Sequence, residues 1–268
     1  MGHVADMSAR HICSGKTLRG TIGLLIFAAT WELFARSGAF PTSMTPPIET
    51  IAAATYYLVI NGTIFINILF TIMRVAVGLA LSCVIAIPLG LAMGRSKIVE
   101  QIFLPPISVL MPIPSLAWVP LFILWLGLGN VTTILVVVYA AIFPMVYNVW
   151  RGVKAINPVW LRAGLSMGSD SHAMFWRIIF PASLPYVVTG LRLAYGRAWM
   201  AVIGAELLAG TDWGLGRMIF EAKEWLSTGQ MMSAIIMIGV IALISERLLF
   251  QAIDKRTVVR WGMVRTSE

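Results

Sequence analysis

Charged side chains occur inside segments that are otherwise apolar, among them Arg74, Arg192, Arg197 and Glu206. A charge in such a place is costly, so it is usually paired or takes part in function. Arg197 and Glu206 are nine residues apart. On one helix they would face opposite sides, about 13 Å apart along the axis, and would not neutralise each other. Arg197 is expected deeper in its segment, where a cation can hold an anionic ligand or bond to helix carbonyls.

Glu206 has a better partner in Arg74, because both are expected near the same end of their apolar segments. We therefore predict a structural ion pair between Arg74 and Glu206. Loss of either member would leave the other as an uncompensated buried charge. The alternative interpretation is that Glu206 contacts a substrate directly.

Other chemistries find little support in the sequence. His3, His11 and His172 lack the spacing of metal ligands. Residues 14–17, SGKT, end like a phosphate-binding loop, but Arg10 replaces the required glycine and no flanking strand is predicted. The expected membrane helices contain no His and no Asp, which argues against an intramembrane enzyme. We predict no catalytic residue, metal or cofactor in this chain.

Composition defines the elements that must position these charges. The chain is 59% hydrophobic and 12% charged, whereas soluble domains are about a quarter charged. Its mean hydropathy is +0.85. An all-α polytopic membrane protein is therefore predicted. The net charge of +8 is spread over short segments between apolar runs, so no broad basic surface for nucleic acid is expected.

Six segments are candidates for membrane helices of about 20 residues. They are 21–35, 67–94, a segment between 102 and 130, 131–150, 183–208 and 231–253. The first is expected to be retained rather than cleaved as a signal. Residues 48–60 predict a short surface helix, with Thr45 as its cap and Pro46 at its first position. Gly90 and Gly94 have the spacing that permits close helix contact.

Lys and Arg residues are concentrated on one side of these segments. The positive-inside rule therefore places both termini and the loop 151–182 in the cytoplasm, and residues 37–66 outside. The predicted organisation is a cytoplasmic tail at 1–19, a transmembrane domain at 20–255 and a second cytoplasmic tail at 256–268.

The loop 151–182 is expected to begin with a short helix that starts at Asn157 and Pro158. Ala163 and Gly168 would keep one face of it small, and Gly168 permits a backbone turn that a side chain would hinder. Such a helix can dock in a cleft of a partner and transmit its motion. The alternative is an ordinary amphipathic loop between two membrane helices.

A second short helix is expected after that turn. Ser169 or Asp170 can cap it. Pro181 and Pro185 are expected to end the loop and to start the fifth membrane helix.

The third predicted span is interrupted by five prolines. Non-helical backbone at membrane depth is tolerated only inside protein or beside a watery cavity. The segment is therefore predicted to line a pathway, although kinked packing alone is the alternative. The candidate pathway residues are Pro112, Pro114, Ser115, Trp118, Arg197 and Glu206.

Residues 162–185, RAGLSMGSDSHAMFWRIIFPASLP, resemble the EAA loop of bacterial ABC-importer permeases, written E-A-A-x3-G-x9-I-x-L-P. The matching positions are Ala163, Gly168, Ile178 and Pro181, with the same spacing. The departures are Arg162 for the glutamate, Gly164 for the second alanine and Phe180 for the leucine. Further stretches at 74–78, 87–90, 112–120, 189–206 and 214–216 resemble the nitrate, sulfonate and taurine subgroup, and the resemblance covers about residues 20–255.

The resemblance implies a type I importer permease with six transmembrane helices in the bacterial inner membrane. A second copy of the chain would form the path, two ATPase subunits would bind ATP and Mg²⁺, and a periplasmic binding protein would deliver a small anionic solute. The permease itself would perform no covalent chemistry. The alternative is a self-contained secondary transporter, which often shows an inverted repeat that is not visible here. The residues expected to couple to the ATPase are Arg162, Ala163, Gly164, Gly168, Ser169, Asp170, Ile178 and Pro181.

Overall fold

The computed structural model describes the backbone of residues 3–256 and the side chains of residues 18–253. The side chains of His3, Arg10, His11 and residues 14–17 lie outside these described residues, as does most of the predicted C-terminal tail. Within the described part every regular element is a helix, and the predicted all-α class is confirmed.

Eleven α-helices are found in the described part of the chain. Their bounds are α1 His3–Arg36, α2 Ile48–Ile60, α3 Thr63–Arg95, α4 Lys97–Leu110, α5 Val119–Leu126, α6 Asn130–Lys154, α7 Pro158–Ser166, α8 Ser171–Met174, α9 Phe180–Leu208, α10 Leu215–Glu224 and α11 Thr228–Arg256. A 3-10 turn, Ser115–Trp118, precedes α5, and a π-helical segment, Phe175–Ile179, joins α8 to α9. The predicted tail 1–19 thus belongs, from His3 onward, to the same helix as the first span.

Five of the described helical stretches can each cross a membrane by length and composition. They are Leu18–Arg36, Thr63–Arg95, Asn130–Lys154, Ser171–Leu208 and Thr228–Ile253. The third predicted span is broken, as its prolines predict, because Lys97–Leu110 and Ser115–Leu126 are bent by 89°. Counted together as one broken span, they bring the total to the predicted six.

The bend between α4 and α5 has a direct cause in the sequence. Pro112 and Pro114 lie in the break, and neither has an amide hydrogen to donate to the preceding turn. Ile113, between them, donates only to Leu110 O, at 3.1 Å. Pro105 and Pro106 are accommodated inside α4, and Pro120 lies at the start of α5.

The core of the molecule is a layer in which α6 packs between α3 and α9. Gly90 of α3 lies so close to Val149 of α6 that a Cβ there would be 2.7 Å from the valine Cβ. Gly94 approaches Val153 in the same way one turn later. The close contact expected of Gly90 and Gly94 is therefore made with α6.

The surface helix predicted at 48–60 is present as α2, but its start differs from the prediction. Pro47 is the N-terminal flanking residue, and the Thr45 side chain bonds weakly to Pro41 O at 3.4 Å instead of capping the helix. Pro46 is followed by Pro47, and a residue before proline is driven away from helical conformation. The Glu32 carboxylate of α1 accepts the Ile48 amide at 2.8 Å in place of a local cap.

Candidate coupling and translocation sites

The segment between α6 and α9 begins as the sequence predicts. Asn157 precedes α7, and its side-chain oxygen accepts the Val159 amide at 2.9 Å. Pro158 occupies the first helical position, where its missing amide hydrogen costs nothing. The cap and the proline together fix where α7 starts, one residue after Asn157.

The end of α7 is a tight turn around Gly168. The Gly168 amide bonds to Leu165 O and the Ser169 amide bonds to Gly164 O, both at 3.0 Å. This pair of bonds is the Schellman arrangement, which requires a left-handed residue after the helix. Gly168 supplies it with φ of 76°. Of the two predicted caps for α8, Asp170 is the one used, and its Oδ1 accepts the Ala173 amide at 2.8 Å.

The small residue that packs in this segment is Gly164. A Cβ at Gly164 would lie 2.7 Å from Ile178 Cδ1 and 3.0 Å from Met174 Cε, so α7 rests directly on α8 and the π-helical segment. Ala163 is exposed, and Gly168 has no neighbour that a Cβ would meet. The small face expected of Ala163 and Gly168 is therefore left open and not packed within the described chain, and its docking on a partner stays a prediction. The departure from alanine at position 164 is what permits the close approach.

The outer side of this segment carries exposed apolar side chains beside exposed cations. We call it the coupling surface, and it consists of Val159, Trp160, Arg162, Leu165, Met167, Trp176 and Arg177. Met167, at the tip, is 84% exposed. Large apolar residues grouped on a turn are typical of a protein contact rather than of a solvated loop.

Helix α9 connects the coupling surface to the centre of the molecule. From Ser171 to Leu208 the chain is helical without interruption, over 38 residues. Pro181 lies in the first turn of α9 and so starts that helix as predicted, whereas Pro185 lies inside it; the helical run itself begins earlier, at Ser171. The π-helical turn Phe175–Ile179 comes just before Pro181, and such turns are common where the regular bonding ladder is disturbed.

At the far end of α9 the predicted partners Arg74 and Glu206 are in contact. Arg74 Nη1 lies 2.6 Å from Glu206 Oε1, and at most 1% of either side chain is exposed. Thr71 Oγ1 donates to the same carboxylate at 2.9 Å, and the Gly216 amide donates to Oε2 at 2.8 Å. Arg74 Nε donates to Asn130 Oδ1 at 2.8 Å. Both charges are therefore surrounded by hydrogen-bond partners, as a buried ion pair requires.

The same cluster holds the start of α10. Asn67 Oδ1 accepts the Gly214 amide at 2.7 Å, and Thr71 Oγ1 accepts the Leu215 amide at 2.9 Å. Asn67, Thr71 and Asn130 were not predicted as members of the site. The available signal was the spacing of positions 67, 71 and 74, which places three polar residues on one face of an apolar helix.

Arg197 lies elsewhere, on the wall of a cleft of about 280 Å³. The cleft opens between the bend before α5 and the helices α6 and α9, and Pro112, Pro114 and Ser115 line it together with Arg197. Four of the six candidate pathway residues therefore meet at one place. Arg192, one and a half turns earlier on α9, has its guanidinium 4.7 Å from the centre of the Phe250 ring.

The other two candidate pathway residues do not line this cleft. Glu206 is enclosed by the cluster around Arg74, so direct contact with a substrate is not available to it. The centre of the Trp118 ring lies 5.2 Å from the centre of the Tyr139 ring and 6.0 Å from that of the Phe122 ring. The Trp118 side chain therefore packs against other rings of the protein and does not line the cleft. Within the described residues, no group of His, Cys, Asp and Glu could hold a metal ion.

Residues 86–259 match the family of binding-protein-dependent transport system inner membrane components. The match covers more than half of the chain, and the chain belongs to this family. It is a multi-pass inner-membrane permease of an ABC importer, a transport subunit that works with an ATPase and a substrate-binding protein.

Three relatives place the chain within that family. The taurine transport system permease protein of Escherichia coli is 31% identical, over 92% of this chain and 90% of the relative. A Bacillus subtilis protein named for aliphatic sulfonates transport is 28% identical, over 91% and 87%. The nitrate import permease protein of Synechocystis is 29% identical, over 88% of each. The resemblance to the nitrate, sulfonate and taurine subgroup is confirmed.

Proposed function

We propose that this permease carries a small anionic solute through a path formed by two copies of the chain, driven by two ATPase subunits that dock on the coupling surface. The main support for this docking is the rigidity of the coupling surface. A Schellman turn at Gly168, a cap at Asp170 and the contact of Gly164 with Ile178 hold the exposed apolar side chains in a fixed arrangement. Fixed exposed apolar groups are suited to bind a partner because little conformational entropy is lost on docking.

The coupling surface can act at a distance because it continues into α9. A rigid helix transmits a displacement of one end to the other, and here the far end holds Arg197 and Glu206. ATP and Mg²⁺ would bind to the partner subunits, and the permease would carry out no covalent step. In this scheme the residues that contact the ATPase or support the contact are Arg162, Ala163, Gly164, Gly168, Ser169, Asp170, Ile178 and Pro181.

The distribution of cations supports a cytoplasmic location for the coupling surface. Lys154, at the end of α6, forms an ion pair with Glu100 of α4 at 2.5 Å. The Arg95 guanidinium lies 5.1 Å from the centre of the Phe175 ring. The basic ends of α3, α4 and α6 are thus gathered beside the coupling surface, and the positive-inside rule assigns this side to the cytoplasm. The segment 37–66 would then face the periplasm, where the binding protein delivers the solute.

The cleft at Arg197 supports the assignment of two copies and of an anionic solute. The cleft is open at the protomer surface and Arg197 is exposed, so a second copy would enclose the path. Taurine, aliphatic sulfonates and nitrate, which the relatives' names give, share an anionic oxygen-rich group. A guanidinium matches such a group in geometry as well as charge.

Cross-linking tests the proposed docking. Single cysteines at Ser169 and at Ser171, in a chain lacking Cys13 and Cys83, are expected to cross-link to cysteines on the co-expressed ATPase in a transport-competent complex. A cysteine at exposed Ser43, in the segment predicted to lie outside, is the matched control and should give no product. Absence of product from both loop positions, or equal product from Ser43, would contradict the proposal.

A further inference from the structure

Two arginines inside the membrane helices have opposite surroundings. Arg74 is fully buried, donates hydrogen bonds to the Glu206 carboxylate and the Asn130 amide oxygen, and lies over the face of the Phe70 ring. Arg197 is exposed, faces the cleft, and has no acidic residue among the described residues that line the cleft with it. An arginine cannot shed its charge by losing a proton. The cleft therefore holds a permanent positive charge that the described part of the chain leaves for another group to neutralise.

The remaining lining limits what that group can be. The Ser115 hydroxyl can donate one further hydrogen bond to a ligand. The Tyr139 hydroxyl already donates to Leu110 O at 2.8 Å, so it offers an acceptor rather than a proton. The rest of the wall is mainly apolar and includes Met111, Ile113, Leu116, Phe143 and Met200. The polar groups of the lining are thus one cation and two hydroxyls, of which only the Ser115 hydroxyl is free to donate, and the rest of the wall is mainly apolar.

The bend before α5 keeps this cleft accessible to water. Irregular backbone at membrane depth is stable only where protein or a watery cavity surrounds it, and Pro112 and Pro114 form both the irregular segment and part of the cleft wall. A volume of about 280 Å³ is at the lower end for small-molecule sites. A ligand can therefore enter in solution, and it must be small.

From this geometry we infer that the permease has its own anion-binding site at Arg197, selective for a monoanion that carries a short apolar substituent, such as a small alkylsulfonate. This inference rests on the proposed function, because it names the substrate class of the same path. The second negative charge of a dianion would find no second cation among the lining residues, so the free-energy cost of removing its hydration water would not be compensated. An ammonium group would find no carboxylate there, so a zwitterion such as taurine is disfavoured. Charge selection would then occur in the permease as well as in the binding protein.

Direct binding to the permease tests the inference without the binding protein. The complex of permease and ATPase is placed in lipid nanodiscs, and equilibrium binding of radiolabelled butane-1-sulfonate is measured. Unlabelled taurine and sulfate are then used as competitors. We expect saturable binding, and competition by taurine and by sulfate that is at least about tenfold weaker than competition by unlabelled butane-1-sulfonate, because a charge-assisted hydrogen bond is worth about that factor or more. Absence of saturable binding, or equal competition by taurine, would overturn the inference.

Variants localise the binding to the cleft. Arg197→Met should weaken butane-1-sulfonate binding about tenfold or more, and Ser115→Ala should weaken it a few-fold. Arg197→Lys should weaken binding less than Arg197→Met, because lysine keeps the charge but not the planar geometry. Arg217→Met is the control for loss of one positive charge, since Arg217 lies on α10 and pairs with Glu221 at the surface. Unchanged binding in Arg197→Met, or an equal loss in Arg217→Met, would contradict the site.

The two proposals can fail separately. Cross-linking from Ser169 and Ser171 is recorded for the same complexes. Loss of the cross-link with probe binding intact would overturn the ATPase docking and leave the anion site standing. A normal cross-link in a wild-type complex that does not bind butane-1-sulfonate would overturn the anion site alone.

Discussion

Arg74 on α3 and Glu206 on α9 form an ion pair in which Nη1 and Oε1 are 2.6 Å apart and neither side chain is more than 1% exposed. The pair joins two core helices, and through Thr71 and Gly216 it also fixes the start of α10. In a low-dielectric interior, removal of one member leaves an unpaired charge, which is more costly than the absence of both.

A double-mutant cycle should therefore be strongly non-additive. Arg74→Met and Glu206→Gln should each reduce the free energy of unfolding by about 3–5 kcal/mol, whereas the double variant should lose less than the sum of the two. The measurement is thermal or denaturant unfolding of the purified complex. Additive losses would show that the two side chains do not interact, and normal stability with lost transport in Glu206→Gln would favour a role in the path.

The pairing of Arg74 with Glu206 was predictable from sequence because charges are rare in these segments and each needs a partner. The surrounding cluster was not predicted, because Asn67, Thr71 and Asn130 are common residues whose importance depends on which helices become neighbours. Similarly, the prolines at 105–120 predicted an interruption, but the bend of 89° depends on how α4 packs against α3 and how α5 packs against α6. A contact between two rare buried charges was therefore predictable, whereas contacts made by common polar residues and the packing angles of the helices were not.

The close packing of α3 on α6 should be sensitive to a single methyl group. Gly90→Ala would place a Cβ 2.7 Å from Val149 Cβ and 2.9 Å from Val146 O, and we expect a loss of about 1–3 kcal/mol in stability. Gly239→Ala, in α11, is the matched control, because beyond its own turn of helix no described atom lies within 4 Å of its added Cβ. If both variants had the same melting temperature, the packing argument would fail.

The turn at Gly168 should be required for coupling rather than for folding. Its φ of 76° is costly for a β-branched residue, by about 1–2 kcal/mol, which corresponds to a 5- to 30-fold shift away from the native turn. Gly168→Val should lower the solute transported per ATP hydrolysed, with ATPase activity retained. Asparagine tolerates this conformation, so Gly168→Asn should stay close to the wild type. Full coupling in the valine variant would be inconsistent with this role.

The same type of turn ends α10, but with leucine in the position that glycine usually occupies. Leu226 has φ of 52°, and Leu226 N and Ser227 N bond to Lys223 O and Ala222 O at 3.0 and 2.8 Å. Because Leu226 is 83% exposed, little burial is lost in Leu226→Gly. Relief of the backbone strain stabilises the folded state, and the greater conformational entropy of glycine in the unfolded chain offsets part of this gain. The net increase in the free energy of unfolding should be about 0.5–1 kcal/mol. Leu226→Ala keeps the strain and should give no increase in melting temperature.

The orientation in the membrane is open to a direct test. The distribution of Lys and Arg predicts that both termini are cytoplasmic. A reporter that is active only in the cytoplasm should therefore be active when fused to the C-terminus, and inactive when inserted after Ser43. A stably expressed but inactive C-terminal fusion would change the number of spans by one, which would make the bent pair α4–α5 a re-entrant loop.

The ion pair between Arg74 and Glu206 also has a consequence for how the protein is made. The two residues are 132 positions apart, so at roughly 5–20 residues per second the ribosome needs about 7 to 26 s to supply the carboxylate after the guanidinium. Asn130, 56 positions after Arg74, becomes available earlier and offers a neutral acceptor in the interval. The Arg74 charge on helix α3 would thus first be hydrogen-bonded by the Asn130 amide oxygen and only later be neutralised by Glu206. Nascent chains that stop before α9 would keep that charge without its counter-ion, which would distinguish them from finished molecules during quality control.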